Sequence, residues 1–157
     1  KQALKNSFLA MFSEFNSNIK QNYKNAGIDS ISKNLLTKID VANIKRKRRQ
    51  NSQYLHKEMK GLKYIRFLFN EVDLEKDCSL FVPIMVESSV RESLKNYLIS
   101  KDIFCPVHWP IPRGHRLTTH TEKLYKQELS LICDQRYDYK DMKRIIEVVE
   151  EFVKAYV

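Results

Sequence analysis

Glycine is nearly missing from this chain: three residues in 157, beside four prolines and one tryptophan. So few glycines leave no glycine-rich phosphate cradle. They also leave no elbow around a nucleophilic serine, since the serines fall at helix starts. No apolar run approaches the roughly 20 residues needed to span a bilayer. The start at Lys1 shows no apolar leader, so neither membrane insertion nor secretion is expected. A first residue other than Met, directly in a helical pattern, is what a fragment would present. The three cysteines, Cys78, Cys105 and Cys133, form no Cys-x-x-Cys pair, and His115 and His120 lack paired-ligand spacing. A metal site is therefore not expected, and the thiols read as buried and reduced, as in a cytoplasmic protein.

A hydrophobic content of 43% argues for a folded globule the size of one ordinary domain. Lysine and arginine total 28 against 19 acidic residues, a net charge of +9, but the excess is dispersed. The one dense run, Lys45-Arg46-Lys47-Arg48-Arg49, circles the whole axis when helical, each residue turning by about 100°. It forms no phosphate track. A solvated or ion-paired helix is the expected reading, and no nucleic-acid partner is expected. The rivals are a basic module for nucleic acid and one for an acidic partner surface.

Periodicity sets out the elements. Leu4, Phe8, Met11, Phe12, Phe15, Ile19 and Tyr23 recur at helical steps and predict an amphipathic helix ending near Gly27 in a left-handed cap. Ser30 or Ser32 can cap the next segment, and a second helix is expected from Thr37 to Lys60, stopping at Gly61, with Ile39, Ile44, Leu55 and Met59 inward. Tyr64–Phe69 and Cys78–Val86 read as strands, and Pro83 argues for an edge position or a bulge. Ser89-Val90-Arg91-Glu92 fits a capping box opening a helix. Ile103–Val107 reads as a strand, Thr118–Gln127 as a helix and Leu129–Cys133 as a strand. A final helix carries Met142, Ile145, Ile146, Val149, Phe152, Val153 and Tyr156 inward, with Asp138 as its cap. The alternation predicts an α/β (α+β) fold: a small mixed or antiparallel sheet of three to four strands, covered by helices.

Two phrases carry the most information. One is Pro106-Val107-His108-Trp109-Pro110-Ile111-Pro112. The other is Leu129-Ser130-Leu131-Ile132-Cys133-Asp134-Gln135-Arg136-Tyr137, followed by Asp141-Met142. Upstream stand Ile28-Asp29-Ser30-Ile31-Ser32, Leu35-Leu36, Ile39-Asp40, Ile44, Arg48-Arg49-Gln50-Asn51 and Leu55. In this order they resemble the C-terminal small domain of the DegT/DnrJ/EryC1 family of pyridoxal-phosphate (PLP) aminotransferases, over roughly Ile28 to Phe152. Ile132 departs from the pattern, standing where many relatives have proline after the strand, which loosens the local turn. The resemblance implies residues 1–36 as an interdomain linking helix and turn, and 37–157 as the small domain of a fold type I PLP-transferase. It also implies a parent enzyme acting on a nucleotide sugar in cell-surface polysaccharide synthesis, a homodimer, with its own large domain as partner. A degenerate homologue that kept the fold and lost transamination is the remaining alternative.

No catalytic and no cofactor-binding residue is assigned within the chain. A PLP enzyme needs a lysine that holds the cofactor covalently and an acid facing the pyridinium nitrogen. By resemblance both belong to the large domain. The substrate-pocket candidates are His108, Trp109, Arg113, His115 and Arg136. His108 and Trp109 follow a strand and are braced by Pro106, Pro110 and Pro112, a rigid placement that suits hydrogen bonding and stacking. Equally, Trp109 can fill the core while His108 satisfies a backbone carbonyl. Arg113, His115, Arg116 and His120 can meet a phosphate or carboxylate, or form a solvated loop. Arg136 is expected first to pair with Asp134 and hold its turn, and second to touch substrate.

Overall fold

The computed structural model describes residues 2–25, 27–69, 71, 73, 75–106, 111 and 114–156. The chain forms two compact units, residues 1–39 and 40–157. In the first, helix α1 (Gln2–Asn22) passes through a 3-10 turn (Tyr23–Asn25) before helix α2 (Ser30–Lys38). Gly27 is not in the left-handed region, so the expected glycine cap does not form. Nor do Ser30 and Ser32 cap α2. Asp29 does, accepting from the Ser32 backbone at 2.9 Å and from its hydroxyl at 2.6 Å. A carboxylate one residue earlier outcompetes the hydroxyls for the free first-turn N–H.

The expected helix from Thr37 to Lys60 is two helices. Ile39 is extended, and Asp40 caps helix α3 (Val41–Glu58), accepting from Asn43 N at 2.9 Å. A side chain that captures a nearby N–H competes with helix continuation, and Asp40 does so here. Leu55 and Met59 are buried as expected, whereas Ile39 is exposed and Ile44 half-buried. Gly61 follows the helix in the left-handed region, at φ 86°.

Strands β1 (Ile65–Phe67), β2 (Phe81–Val86) and β3 (Glu128–Ile132) form one antiparallel sheet in the order β1-β2-β3. β2 is therefore central, and Pro83 is not on an edge strand. Its position is still governed by its missing N–H. Phe67 opposite Ile84 is the last β1–β2 pair, so Pro83 meets Leu68 just beyond it. There the Pro83 carbonyl accepts from Leu68 N at 3.2 Å, and the return bond cannot form. The proline ends the β1 ladder while β3 continues past it, Ser130 lying opposite.

Helix α4 (Ser88–Ser100) has Glu87 at its N-cap with no side-chain cap bond, so the Ser89 capping box is absent. The expected strand Ile103–Val107 is also absent among the described residues, where 103–106 run as coil. Ile103 donates its N–H back to Leu98 O at 2.9 Å, across Asp102 at φ 58°. The end of α4 thus takes the hydrogen bond that a strand would need. Helix α5 (Thr119–Gln127) is capped by Thr118, and helix α6 (Tyr139–Ala155) by a full capping box of Asp138 and Asp141.

The register puts Val82 opposite Leu131 and Ile84 opposite Leu129 on one face. That face joins Leu55, Leu94, Leu98, Met142, Val149 and Phe152 of α3, α4 and α6 in a single core. Met85 and Ser130 lie on the opposite face and are also buried, with α5 against β2. The second face of the sheet is thus partly covered as well.

Candidate functional site

The two separated phrases Arg48-Arg49-Gln50-Asn51 and Asp134-Gln135-Arg136-Tyr137 meet in space. Asn51 on α3 is buried, 5% exposed. Its amide nitrogen donates to the carbonyls of Cys133, Asp134 and Tyr137 at 3.3, 3.2 and 3.1 Å. These carbonyls lie in the turn from β3 into α6, where that of Asp134 also accepts from Tyr137 N at 3.2 Å and those of Cys133 and Tyr137 are the acceptors that most need Asn51. Arg48 Nε donates to Gln135 Oε1 at 2.7 Å on the same turn. Arg49 donates to the carbonyl of Asp77 at 2.9 Å and also to that of Glu75. Two of the five residues in the basic run therefore tie α3 to loops.

Asp134 organises the turn from the other side. Its Oδ1 accepts from Arg136 N at 2.9 Å, and its carboxylate accepts from Arg136 Nε at 3.0 Å and from an Arg136 terminal nitrogen at 2.6 Å. Hydrogen bonding from Arg136, above all, holds the Asp134 carboxyl below the usual range against the opposing effect of burial. The same bonds push the Arg136 guanidinium upward. Cys133 follows β3, its N–H donating to Leu80 O at 3.0 Å. Burial pushes the Cys133 and Cys105 thiols up to about 12, leaving neither as a neutral-pH nucleophile. Cys78 is only half-buried, unlike the expected buried thiol.

Of the candidate pocket residues, His108, Trp109 and Arg113 lie outside the described residues. His115 is exposed in coil, as is Arg116, and His120 is exposed in the first turn of α5. The Arg136 side chain is 68% exposed while it holds Asp134. Among the described residues, two large grooves lie on the second unit, and neither His115 nor Arg136 lines them. One of these, about 580 Å³, runs along α3 past Arg46, Lys47, Tyr54 and Lys57 to Tyr139 at the start of α6. Tyr54 and Tyr139 share a hydroxyl hydrogen bond of 3.0 Å, which, with burial second, pushes Tyr54 up to about 12. The other groove, between β1 and α5, is not legible in the sequence. Its only local signal is the spacing of His120, Lys123, Leu124 and Gln127.

The described lysines do not fit the covalent anchor of a PLP site. A lysine that holds the cofactor covalently must be sheltered and readily neutral, yet no described lysine is buried. Lys101 is pushed upward instead, first by its hydrogen bond with Tyr97 and then by Glu151. Among the described residues, no group of His, Cys, Asp and Glu could hold a metal ion. No helix among them is long and apolar enough to cross a membrane.

No family model matches the chain, and no curated protein matches it in sequence. Solved structures do match its fold. Sugar aminotransferase CalS13 from Micromonospora echinospora aligns at a TM-score of 0.63 and 16% identity, over 71% of this chain and 31% of that one. A DegT DnrJ EryC1 StrS aminotransferase from Brucella abortus aligns at 0.57 and 18% identity, over 70% and 31%. NtdA from Bacillus subtilis, with bound cofactor PMP, aligns at 0.57 and 19% identity, over 71% and 28%. The chain thus has the fold of a part of these aminotransferases and spans about a third of their length.

Proposed function

We propose that this chain is the C-terminal small domain of a PLP-dependent aminotransferase of the DegT/DnrJ/EryC1 type. The observation that carries the reading is the fold it shares with part of a sugar aminotransferase and part of a DegT DnrJ EryC1 StrS aminotransferase. The resemblance in sequence supports it as well, and two of the phrases that carry it, Arg48-Arg49-Gln50-Asn51 and the stretch from Cys133 to Tyr137, meet at Asn51. In this reading the cofactor and its lysine belong to a large domain outside residues 1–157. PLP there stabilises negative charge at the carbon bearing the amino group. The small domain then contributes packing and one wall of the substrate pocket. His108 and Trp109 flank the substrate, Arg113 and His115 receive an anionic group, and Arg136 braces the turn. The substrate class is a nucleotide sugar on the route to cell-surface polysaccharide, the setting is cytoplasmic, and the assembly is a homodimer.

The test uses the complete protein that the gene encodes. Incubation with PLP, reduction with borohydride and peptide mapping should label one lysine stoichiometrically, outside residues 1–157. The unreduced protein should transfer an amino group from an amino acid to a keto-sugar nucleotide. A single saturable adduct on a lysine of this chain would overturn the assignment, as would a complete protein that takes up no cofactor. Cofactor uptake without transfer would identify the degenerate homologue instead.

A further inference from the structure

The groove between β1 and α5 has a volume of about 590 Å³ and an apolar floor. Met85 is buried there, with Leu124 half-buried and Leu68 exposed beside it, while Met59, Ile65 and Phe67 meet the groove at its rim and belong to the core on the other face of the sheet. Lys60, Arg66 and Lys123 stand exposed on its walls, with His120. Along α5, His120, Lys123, Leu124 and Gln127 fall at helical spacing and so share one face. Among the described residues, no aspartate or glutamate lines the groove. Among the described residues, no ion pair or hydrogen bond engages the Lys60, Arg66 or Lys123 side chain. Glu128, in register with Arg66 across Met85, already accepts from the Ser130 hydroxyl. Gln127 adds a second kind of unmet demand, since its amide oxygen is buried with no donor.

We propose that this groove binds a phosphate monoester carried on an apolar ring. The ring covers Met85, Leu68 and Leu124, and the phosphate meets Arg66 and Lys123, with Lys60 nearby. Three unpaired cations around one apolar floor exceed the demand of a single carboxylate, whereas a phosphate monoester brings close to two negative charges. Arginine suits that group through its planar fork of donors. A hydroxyl or N–H on the ligand body would answer Gln127. The proposal is independent of the aminotransferase reading, and the failure of either leaves the other standing.

The probe is 1-naphthyl phosphate, compared with 1-naphthol and inorganic phosphate, each titrated into the chain and followed by backbone-amide NMR. We expect shifts at Ile65–Leu68 and His120–Gln127, and binding at least tenfold tighter than for either half of the probe. Raising salt should weaken the phosphate ester and spare the naphthol. An Arg66→Ala/Lys123→Ala variant, both positions being exposed, should lose about tenfold for the ester alone. Leu124→Ser should weaken ester and naphthol alike. Arg46→Ala/Lys47→Ala, on the α3 groove, should change neither. Equal losses from the two basic pairs would mean general charge attraction and overturn the site. So would shifts confined to other segments, or inorganic phosphate binding as tightly as the ester. Circular dichroism of each variant separates loss of binding from loss of fold; if the double variant unfolds, Leu124→Ser and the shift map still decide.

Discussion

At the residue scale, Asn51 and Asp134 do for one turn what a longer secondary structure does for itself. Asn51 supplies donors to three carbonyls and lies nearly out of solvent. Asn51→Ala should lower unfolding free energy by about 1–3 kcal/mol, the cost of leaving buried acceptors unmet. Asn51→Asp should cost more, since a carboxylate would face the same carbonyls. Urea titration of both variants checks the order, and an Asn51→Asp as stable as wild type would remove Asn51 from the centre of the turn. Asp134 has a pH signature. Its folded pKa is depressed, so its contribution is full above the unfolded aspartate value of about 3.9 and is lost as pH falls through the folded value. Asp134→Asn should be less stable than wild type by about 1–3 kcal/mol near neutrality, as for a charge-assisted hydrogen bond. The two proteins should converge in acid. A constant gap down to strongly acidic pH would mean that the loss comes from shape rather than charge.

At the element scale, helix starts separate side chains that hold an N–H from those that merely fit a pattern. Asp138 accepts from Lys140 and Asp141 at 2.8 and 3.3 Å, and Asp141 answers the Asp138 N–H at 2.9 Å. Ser89 lies one residue inside α4, which begins at Ser88. Asp138→Ala should therefore cost about 0.5–2 kcal/mol, while Ser89→Ala should be close to neutral. Thermal unfolding of the two variants beside wild type makes the comparison, and equal losses would contradict the observed caps. Asp138 was legible because the polar residue stands just before a long apolar stripe. Ser89 misled because Glu87 O takes the N–H groups of Val90 and Arg91, at 2.8 and 2.9 Å, so the helix starts two residues early.

At the scale of the whole molecule, the apolar stripe of α1 is an unmet demand. Phe8, Met11, Phe12 and Phe15 are each more than half exposed, and Phe8 stacks on Phe12 at 6.2 Å between ring centroids. Soluble monomers rarely leave an apolar patch on the order of several hundred Å² uncovered. The chain should therefore self-associate in sedimentation at micromolar concentration, and Phe8→Ser/Phe12→Ser should shift it toward monomer. Monomers in both cases, with unchanged stability, would show that the stripe needs no cover. The same dimension hid the β1–α5 groove, whose walls come from three stretches far apart in the chain.

What the sequence determined by itself is what short-range physics decides. Helical and alternating periodicity placed α6, α5 and β3, and a hydroxyl at Thr118 and a carboxylate at Asp138 set the starts of the two helices, because these interactions span four residues or fewer. Tertiary structure decided the rest. It put Pro83 in the central strand, since only the strand order says which neighbour needs its missing N–H. It turned the Ile103 N–H back to Leu98 in place of a strand. It also joined Asn51 to carbonyls 82 to 86 residues away, a pairing that no local pattern encodes. Such contacts form only when the core of α3, α6 and the sheet brings the segments together, because the burial that makes them costly to leave unmet arises in the same step.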